Sequence, residues 1–506
     1  MKNYSFCASA AFLIALLFIT GCSDSNDHTV VIPEVDQTNN GFQTRAVATV
    51  LANNCAVSGC HNSAGPQHGL SLQKYSEFLN GSAGRPTDTA STGGGHDHGA
   101  YKLMTGAGNY GGGAVIPYYP EKSLLYRMVT GDLESPAFKM PYNGGAIPDS
   151  QINTLRAWIE DGAKDFNGIP AYSDTENKIF VCNQGSDNIM VIDDRRNLVK
   201  RLIDVDYNKS GSDAPHNIQM HGDYIYVSLI AAGKVVKFSR STLAKLGEVS
   251  GLVYPGMIEL TSTGGKAYVS KSSTAPGSYN DIYEIDTQTM TLVRTLTLPS
   301  FGLPHGIAIT KNDSLLVVAN MNQDVIIFID LVTGDLSGDL LSLSAGGTPV
   351  HRPMHTNISP DGNLLFVSCM KSGDVKIIDI KTRTVLQSVK TGMHPMQMAV
   401  TSDGNKVYVV DLEENKISVL EKNGTDWALS PAVITNPTFS MLYGCDLSAD
   451  GKYLYVTSSN QNDGFKPRYK KAGQTRVSTV SIIETATGTV VKTIDVDSYA
   501  TGIKAR

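Results

Sequence analysis

Two thiols and an imidazole stand together in the segment Cys55-Ala56-Val57-Ser58-Gly59-Cys60-His61. Thiols placed so closely on one loop can form thioethers to the two vinyl groups of a haem. The adjacent imidazole can then bind the iron from one face. The usual form of such a loop is C-x-x-C-H, whereas four residues separate the cysteines here. The alternatives are a disulfide between Cys55 and Cys60, or two free thiols beside a surface histidine. A haem iron bound by His61 calls for a sixth ligand. Met140, constrained by Pro141 and just ahead of a helical stretch, is the expected one, with Met104 and His68 as competitors. A thioether opposite an imidazole would favour the ferrous state and raise the potential.

A second set of candidates lies in the C-terminal two thirds: His216, His221, His305, His351, His355 and His394. Pro215-His216, Pro304-His305, Met354-His355 and His394-Pro395 recur near expected strand starts. Imidazoles converging from several strands could bind copper or another transition metal, and His216, His305, His355 and His394 form the candidate set. Their registers differ, because His305 follows its proline directly, His355 lies two residues after one and His394 one before. The structural alternative is that they hydrogen-bond neighbouring strands. His96 and His98, in a Gly-, Ser- and Thr-rich stretch over 82–113, read as a metal pair or as a solvated loop. No phosphate-binding glycine loop, G-x-S-x-G, H-E-x-x-H or dinucleotide fingerprint is present, so hydrolase and nucleotide chemistry have no support.

The elements that must position these residues follow from composition and pattern. With 506 residues, 41% of them hydrophobic and 18% charged, the chain suits a soluble protein of two or three domains. A net charge of -6 gives no reason to expect nucleic acid as a partner. Lys2 and the apolar run Ala10–Ile19 read as a targeting segment too short to span a bilayer. It ends in Ile19-Thr20-Gly21-Cys22, which resembles the bacterial lipobox. That resemblance implies lipidation of Cys22, and Ser23 after it implies sorting to the outer membrane of a Gram-negative cell. The alternative is an ordinary signal peptide or a short anchor. Residues 23–40 read as a tether, and Cys182, Cys369 and Cys445 as buried strand residues.

From Gly41 the pattern becomes helical. Phe42, Ala46, Val47, Val50 and Leu51 lead into the cysteine loop. Beyond Met140-Pro141 a second helix is expected, capped by Asp149 or Ser150, with Ile152, Leu155, Trp158 and Ile159 on its apolar face and Gly162 ending it. Residues 166–176 read as a linker. The stretch 41–165 resembles the planctomycete-type cytochrome c domain in its C…CH motif, Pro120-Glu121-Lys122-Ser123-Leu124-Leu125, Met140-Pro141 and Trp158-Ile159-Glu160-Asp161-Gly162-Ala163. The resemblance implies a small α-helical domain holding haem c through Cys55, Cys60, His61 and Met140.

The remainder is repetitive. Ser359-Pro360-Asp361-Gly362, Thr401-Ser402-Asp403-Gly404 and Ser448-Ala449-Asp450-Gly451 each precede an apolar strand, and Lys311-Asn312-Asp313-Ser314 is a weaker copy. The aspartates are 48, 42 and 47 residues apart, and each Asp-Gly marks a hairpin turn. Four short strands per such period is a propeller signature. Residues 177–506 resemble the YVTN-type β-propeller repeat, with units starting near 177, 216, 255, 304, 353, 395 and 441. Seven blades are expected, the C-terminal strand supplying the missing inner strand of the first. Residues 459–477, with Lys466, Arg468, Lys470, Lys471 and Arg476 beside Phe465 and Tyr469, read as a solvated insertion or a docking loop. The expected whole is a membrane-tethered c-type cytochrome exchanging single electrons with a propeller site or a redox partner protein. An oxidoreductase with a metal or second haem in the channel, and a binding or adhesion propeller, are the alternatives.

Overall fold

The computed structural model describes residues 39–81, 110–142, 144–272, 281–298, 302–344, 348–467, 469–471 and 473–505. The expectations at Cys22, His96, His98, Met104 and Arg468 fall outside them.

Seven antiparallel sheets follow one another along the chain, six with four strands and one with five. Within each sheet consecutive strands pair through short turns, except that the inner strand of the first comes from the C-terminal end of the chain. The Asp-Gly turns show how the repeat is made. Asp361, Asp403 and Asp450 each accept the backbone N–H two residues on, at 3.1, 3.0 and 3.1 Å. The following Gly362, Gly404 and Gly451 take φ near +80°, +71° and +71°, where a side chain would be strained. In the weaker copy Asp313 itself adopts φ +53°. Its carboxylate accepts instead from Ser262 of the preceding blade, from the backbone N–H at 2.8 Å and from the hydroxyl at 2.6 Å.

Blades are joined by a repeated side-chain bond. Ser228, Ser270, Ser368 and Thr457, each late in the second strand of its blade, donate to the innermost strand of the next. Their acceptors are the carbonyls of Gly256, His305, Met396 and Thr501, at 2.7, 3.1, 2.6 and 2.9 Å. Inner strands approach so closely that a Cβ on Gly502 would lie 2.6 Å from the His216 carbonyl oxygen. The last strand, Ala500–Ala505, pairs with Lys178–Asn183, placing Val181 opposite Ile503, and becomes the innermost strand of the first blade.

Before the propeller, the described residues form four α-helices: α1 (Arg45–Asn54), α2 (Tyr75–Phe78), α3 (Leu124–Thr130) and α4 (Asp149–Glu160). Thr44 caps α1 by accepting from Val47 N–H at 3.3 Å. Pro148 precedes α4, so Asp149 is its first residue rather than its cap. Val47, Val50 and Leu51 of α1 pack with Leu155, Trp158 and Ile159 of α4 around Phe42 and Phe78.

This helical segment is not set off by a linker. Within 166–176, Ala171 and Tyr172 are buried in the helical core together with Leu198 of the first blade. Tyr110 and Ile116 are buried among Val199, Ile494 and Val496 of the first and last blades. The first and last blades complete the core of this helical segment. Thr38–Arg506 is accordingly one unit.

Replacing Ile503, which is buried in the seam of the closing strand, should therefore cost much more than a surface change. We expect Ile503→Ala to lower stability by about 2–4 kcal/mol in denaturant unfolding. A change within experimental error would show that the closing strand does not hold the ring.

Candidate functional site: an apolar cavity beside the cysteine loop

Helix α1 ends at Cys55, whose backbone N–H still reaches Leu51 O at 2.9 Å. The loop then folds back on itself: Cys60 N–H donates to Val57 O at 3.1 Å and His61 N–H to Cys55 O at 3.1 Å. Gly59 provides the left-handed residue this requires, at φ +77°. Two further bonds tie the loop to the chain beyond it, Gln67 N–H to Cys60 O at 2.7 Å and Leu72 N–H to His61 O at 2.9 Å. The four-residue spacer is thus accommodated as an ordered turn.

His61 Nδ1 lies 3.0 Å from Leu70 O. A carbonyl only accepts, so the proton sits on Nδ1 and the lone pair on Nε2. Burial lowers the pKa of this imidazole, which favours its neutral form. Cys55 and Cys60 are free thiols rather than a disulfide. Burial, with the neighbouring Cys60, pushes the Cys55 thiol up to about 12. Cys55 is therefore protonated at neutral pH and not poised as a nucleophile.

Cys55, Cys60 and His61 line a cavity of about 410 Å³, within the size range of cofactor and ligand sites. Met140 and His68 line it too, Met140 half-buried and His68 exposed. The Met140 loop is tied to α3 by its N–H, which donates to Met128 O at 3.0 Å. Leu72, Leu125, Val129 and Phe138 make the walls largely apolar.

The propeller supplies one wall through the insertion 459–477, whose described residues follow the docking alternative rather than the solvated one. Tyr469 meets Phe138 edge to face, with ring centroids 5.0 Å apart, and also lines the cavity. Lys470 pairs with Glu134 at 3.0 Å and Lys471 with Asp132 at 2.9 Å, while Glu134 N–H donates to Lys470 O at 3.0 Å. The available signal was an aromatic pair among lysines opposite a segment containing Asp132 and Glu134.

The channel histidines come together only in part. His216 and His305 face each other perpendicularly, ring centroids 6.3 Å apart, with Tyr443 6.1 Å from His216. His305 Nδ1 donates to Met354 O at 2.8 Å, and His216 Nδ1 lies 2.9 Å from Gln184 Oε1. His355 Nδ1 is buried without a hydrogen-bond partner. Burial, reinforced by the neighbouring His305, takes His216 and His355 down to about 3. Burial takes His305 down to about 4. His394 stays apart, half-exposed and 2.9 Å from Glu413. Nor do the channel imidazoles form a ready set for one ion. Among the described residues, the group of three metal-type donors whose ligand atoms all lie within 4.8 Å of one another is His351, Cys369 and Asp374.

No protein-family model matches the chain. It is 28% identical over 142 residues to the seven-bladed beta-propeller protein Rv1057 of Mycobacterium tuberculosis, a match covering 28% of this chain and 31% of that relative. The fold is a seven-bladed β-propeller. Among solved structures it is similar to a functionally unknown protein from Desulfotomaculum acetoxidans, with a TM-score of 0.51 and 16% identity over 65% of this chain and 99% of that one. A putative 6-phosphogluconolactonase from Bacteroides uniformis gives a TM-score of 0.50 and 13% identity, over 66% of this chain and 100% of that one. At such identities the likeness extends to the fold alone.

The channel imidazoles make stability depend on pH. Their folded pKa values lie below the roughly 6.5 of an unfolded histidine, so below that pH the unfolded chain binds more protons. The contribution of His216, His305 and His355 should be level above pH 7 and decline as pH falls from 6.5 toward 4. His355→Gln should flatten this slope in thermal unfolding. Identical slopes for the two proteins would exclude His355 as a source.

Proposed function

We propose that the protein is a c-type cytochrome whose helical segment holds one haem in the cavity beside the cysteine loop. One observation carries the reading: Cys55, Cys60, His61 and Met140, up to 85 residues apart in the chain, line the same apolar cavity. Cys55 and Cys60 would hold the group through thioethers, with His61 and Met140 as its two iron ligands. When bound there, haem supplies a one-electron ferric/ferrous couple. The bond from His61 to Leu70 O fixes the imidazole with its Nε2 lone pair available, as metal-ligating histidines require. Leu72, Leu125, Val129 and Phe138 exclude water, and Tyr469 brings the propeller to the edge of the same cavity.

In this reading the protein is a single-electron carrier for a redox partner protein, tethered through lipid on Cys22 to the outer membrane. Among the described residues no helix is long and apolar enough to cross a membrane. A second reading, an oxidoreductase or a binding propeller acting at the channel, is favoured by the three neutral imidazoles and the unpartnered His355 Nδ1. Copper there would require the rings to move together.

Protein matured with the cytochrome c assembly machinery should retain about one haem per chain after acid-acetone extraction. Cys55→Ser with Cys60→Ser should retain none. Met140→Ala should abolish the near-infrared methionine–iron band, whereas His68→Ala should leave it. A colourless wild-type protein would falsify the cytochrome reading, and a band that survives Met140→Ala would move the sixth ligand elsewhere.

A further inference from the structure

Blade five carries a chemical grouping that the cytochrome reading leaves unused. Its inner strand begins at Pro353, its second strand (Leu364–Cys369) ends at Cys369, and its third (Asp374–Asp379) begins at Asp374. Strand pairing sets Cys369 opposite Asp374, and also opposite Pro353, two residues after His351. An imidazole, a thiol and a carboxylate thereby meet at one corner of the sheet, with all three ligand atoms within 4.8 Å of one another. Cys369 and Asp374 are buried, and half-buried His351 gives the corner its access to solvent.

The corner is held from both sides. Buried Asp324 of the preceding blade accepts the backbone N–H groups of Val350, His351 and Arg352, at 2.5, 2.9 and 2.8 Å. The turn between the second and third strands closes on His351 O through Lys371 N–H at 2.9 Å. Ser372 Oγ donates to Asp374 Oδ1, so it accepts from His351 Nδ1, 2.9 Å away. That bond fixes the imidazole with its lone pair on Nε2. It is the arrangement in which a ligating histidine gives its other N–H to a neighbour.

Donor chemistry selects the kind of ion. Asp324 and Asp374 face the Cys369 thiol together with Lys376, which lies 3.2 Å from Asp374 Oδ2, and Lys390 reaches Ser372 O on the same turn. Nitrogen, sulfur and oxygen donors in one set suit a borderline-soft ion and not Ca²⁺ or Mg²⁺.

We propose that His351, Cys369 and Asp374 form a Zn²⁺ site with three protein ligands and a fourth position toward solvent. Zinc–ligand distances of about 2.0–2.3 Å require the three side chains to draw together by on the order of 1 Å. Binding forms the zinc–thiolate bond and releases the Cys369 proton to solvent, so affinity rises with pH. Burial holds that thiol protonated in the metal-free protein.

The test uses the full-length chain equilibrated with Zn²⁺, dialysed, and counted for zinc by mass spectrometry. Wild type should retain one zinc per chain more than Cys369→Ser or His351→Gln. Cys182→Ser, which removes a buried strand thiol in the first blade, should match wild type. Loaded with Co²⁺, wild type should show a thiolate-to-cobalt charge-transfer band that Cys369→Ser lacks. Equal zinc in all four proteins, or a cobalt spectrum without the thiolate band, overturns the site. If Cys369→Ser proves unstable, His351→Gln decides, because the half-buried imidazole can be replaced with little loss of packing.

Discussion

Ring closure is the constraint on which everything else depends. A propeller chain leaves its first blade without an inner strand and its last strand without a sheet. Pairing Ala500–Ala505 with Lys178–Asn183 satisfies both. It also draws the first and last blades together, with Thr457 of the last blade donating to Thr501 O on the closing strand. The helical segment then has a composite surface to pack on, since its seat is made from both blades. Val199 N–H reaches Gly111 O at 2.6 Å, and Gly111 N–H reaches Asp495 O at 2.8 Å.

That seat contains a cluster of buried polar and ionisable groups. Asp497 receives Lys122 at 2.8 Å, Asn188 at 2.8 Å and the Tyr110 hydroxyl. Arg127 lies over the Tyr110 ring, 5.4 Å from its centroid. Burial drives the carboxyl of Asp495 well above the usual carboxylate range. Such groups contribute little net stability once desolvation is counted, but removing one partner is costly. The seam therefore specifies one orientation of the helical segment, and with it the position of the cavity relative to the propeller.

Desolvation is the common cause behind the protonation states of His61, His216, His305, His355, Cys55 and Cys369. It keeps His61 and the channel imidazoles neutral and the buried cysteines protonated. Neutral imidazoles are ready to ligate, whereas the buried thiols must each lose a proton before they bind a metal.

The strand pattern, the Asp-Gly turns and their spacing were legible in the sequence because each reports local backbone demands. The same holds for the loop at Cys55, Cys60 and His61, whose residues are neighbours in the chain. Contacts between distant segments left no such local trace. Ala171 and Tyr172 read as linker because nothing local announces that blade one buries them. Tyr469 stood open between a solvated and a docking loop because its partner, Phe138, lies more than 300 residues away. The histidine registers showed that His216, His305, His355 and His394 differ, but not which of them share the channel. His351, Cys369 and Asp374 seemed unrelated because the sheet corner joining them is set by strand register. Periodicity reveals the elements; register and closure determine which side chains meet.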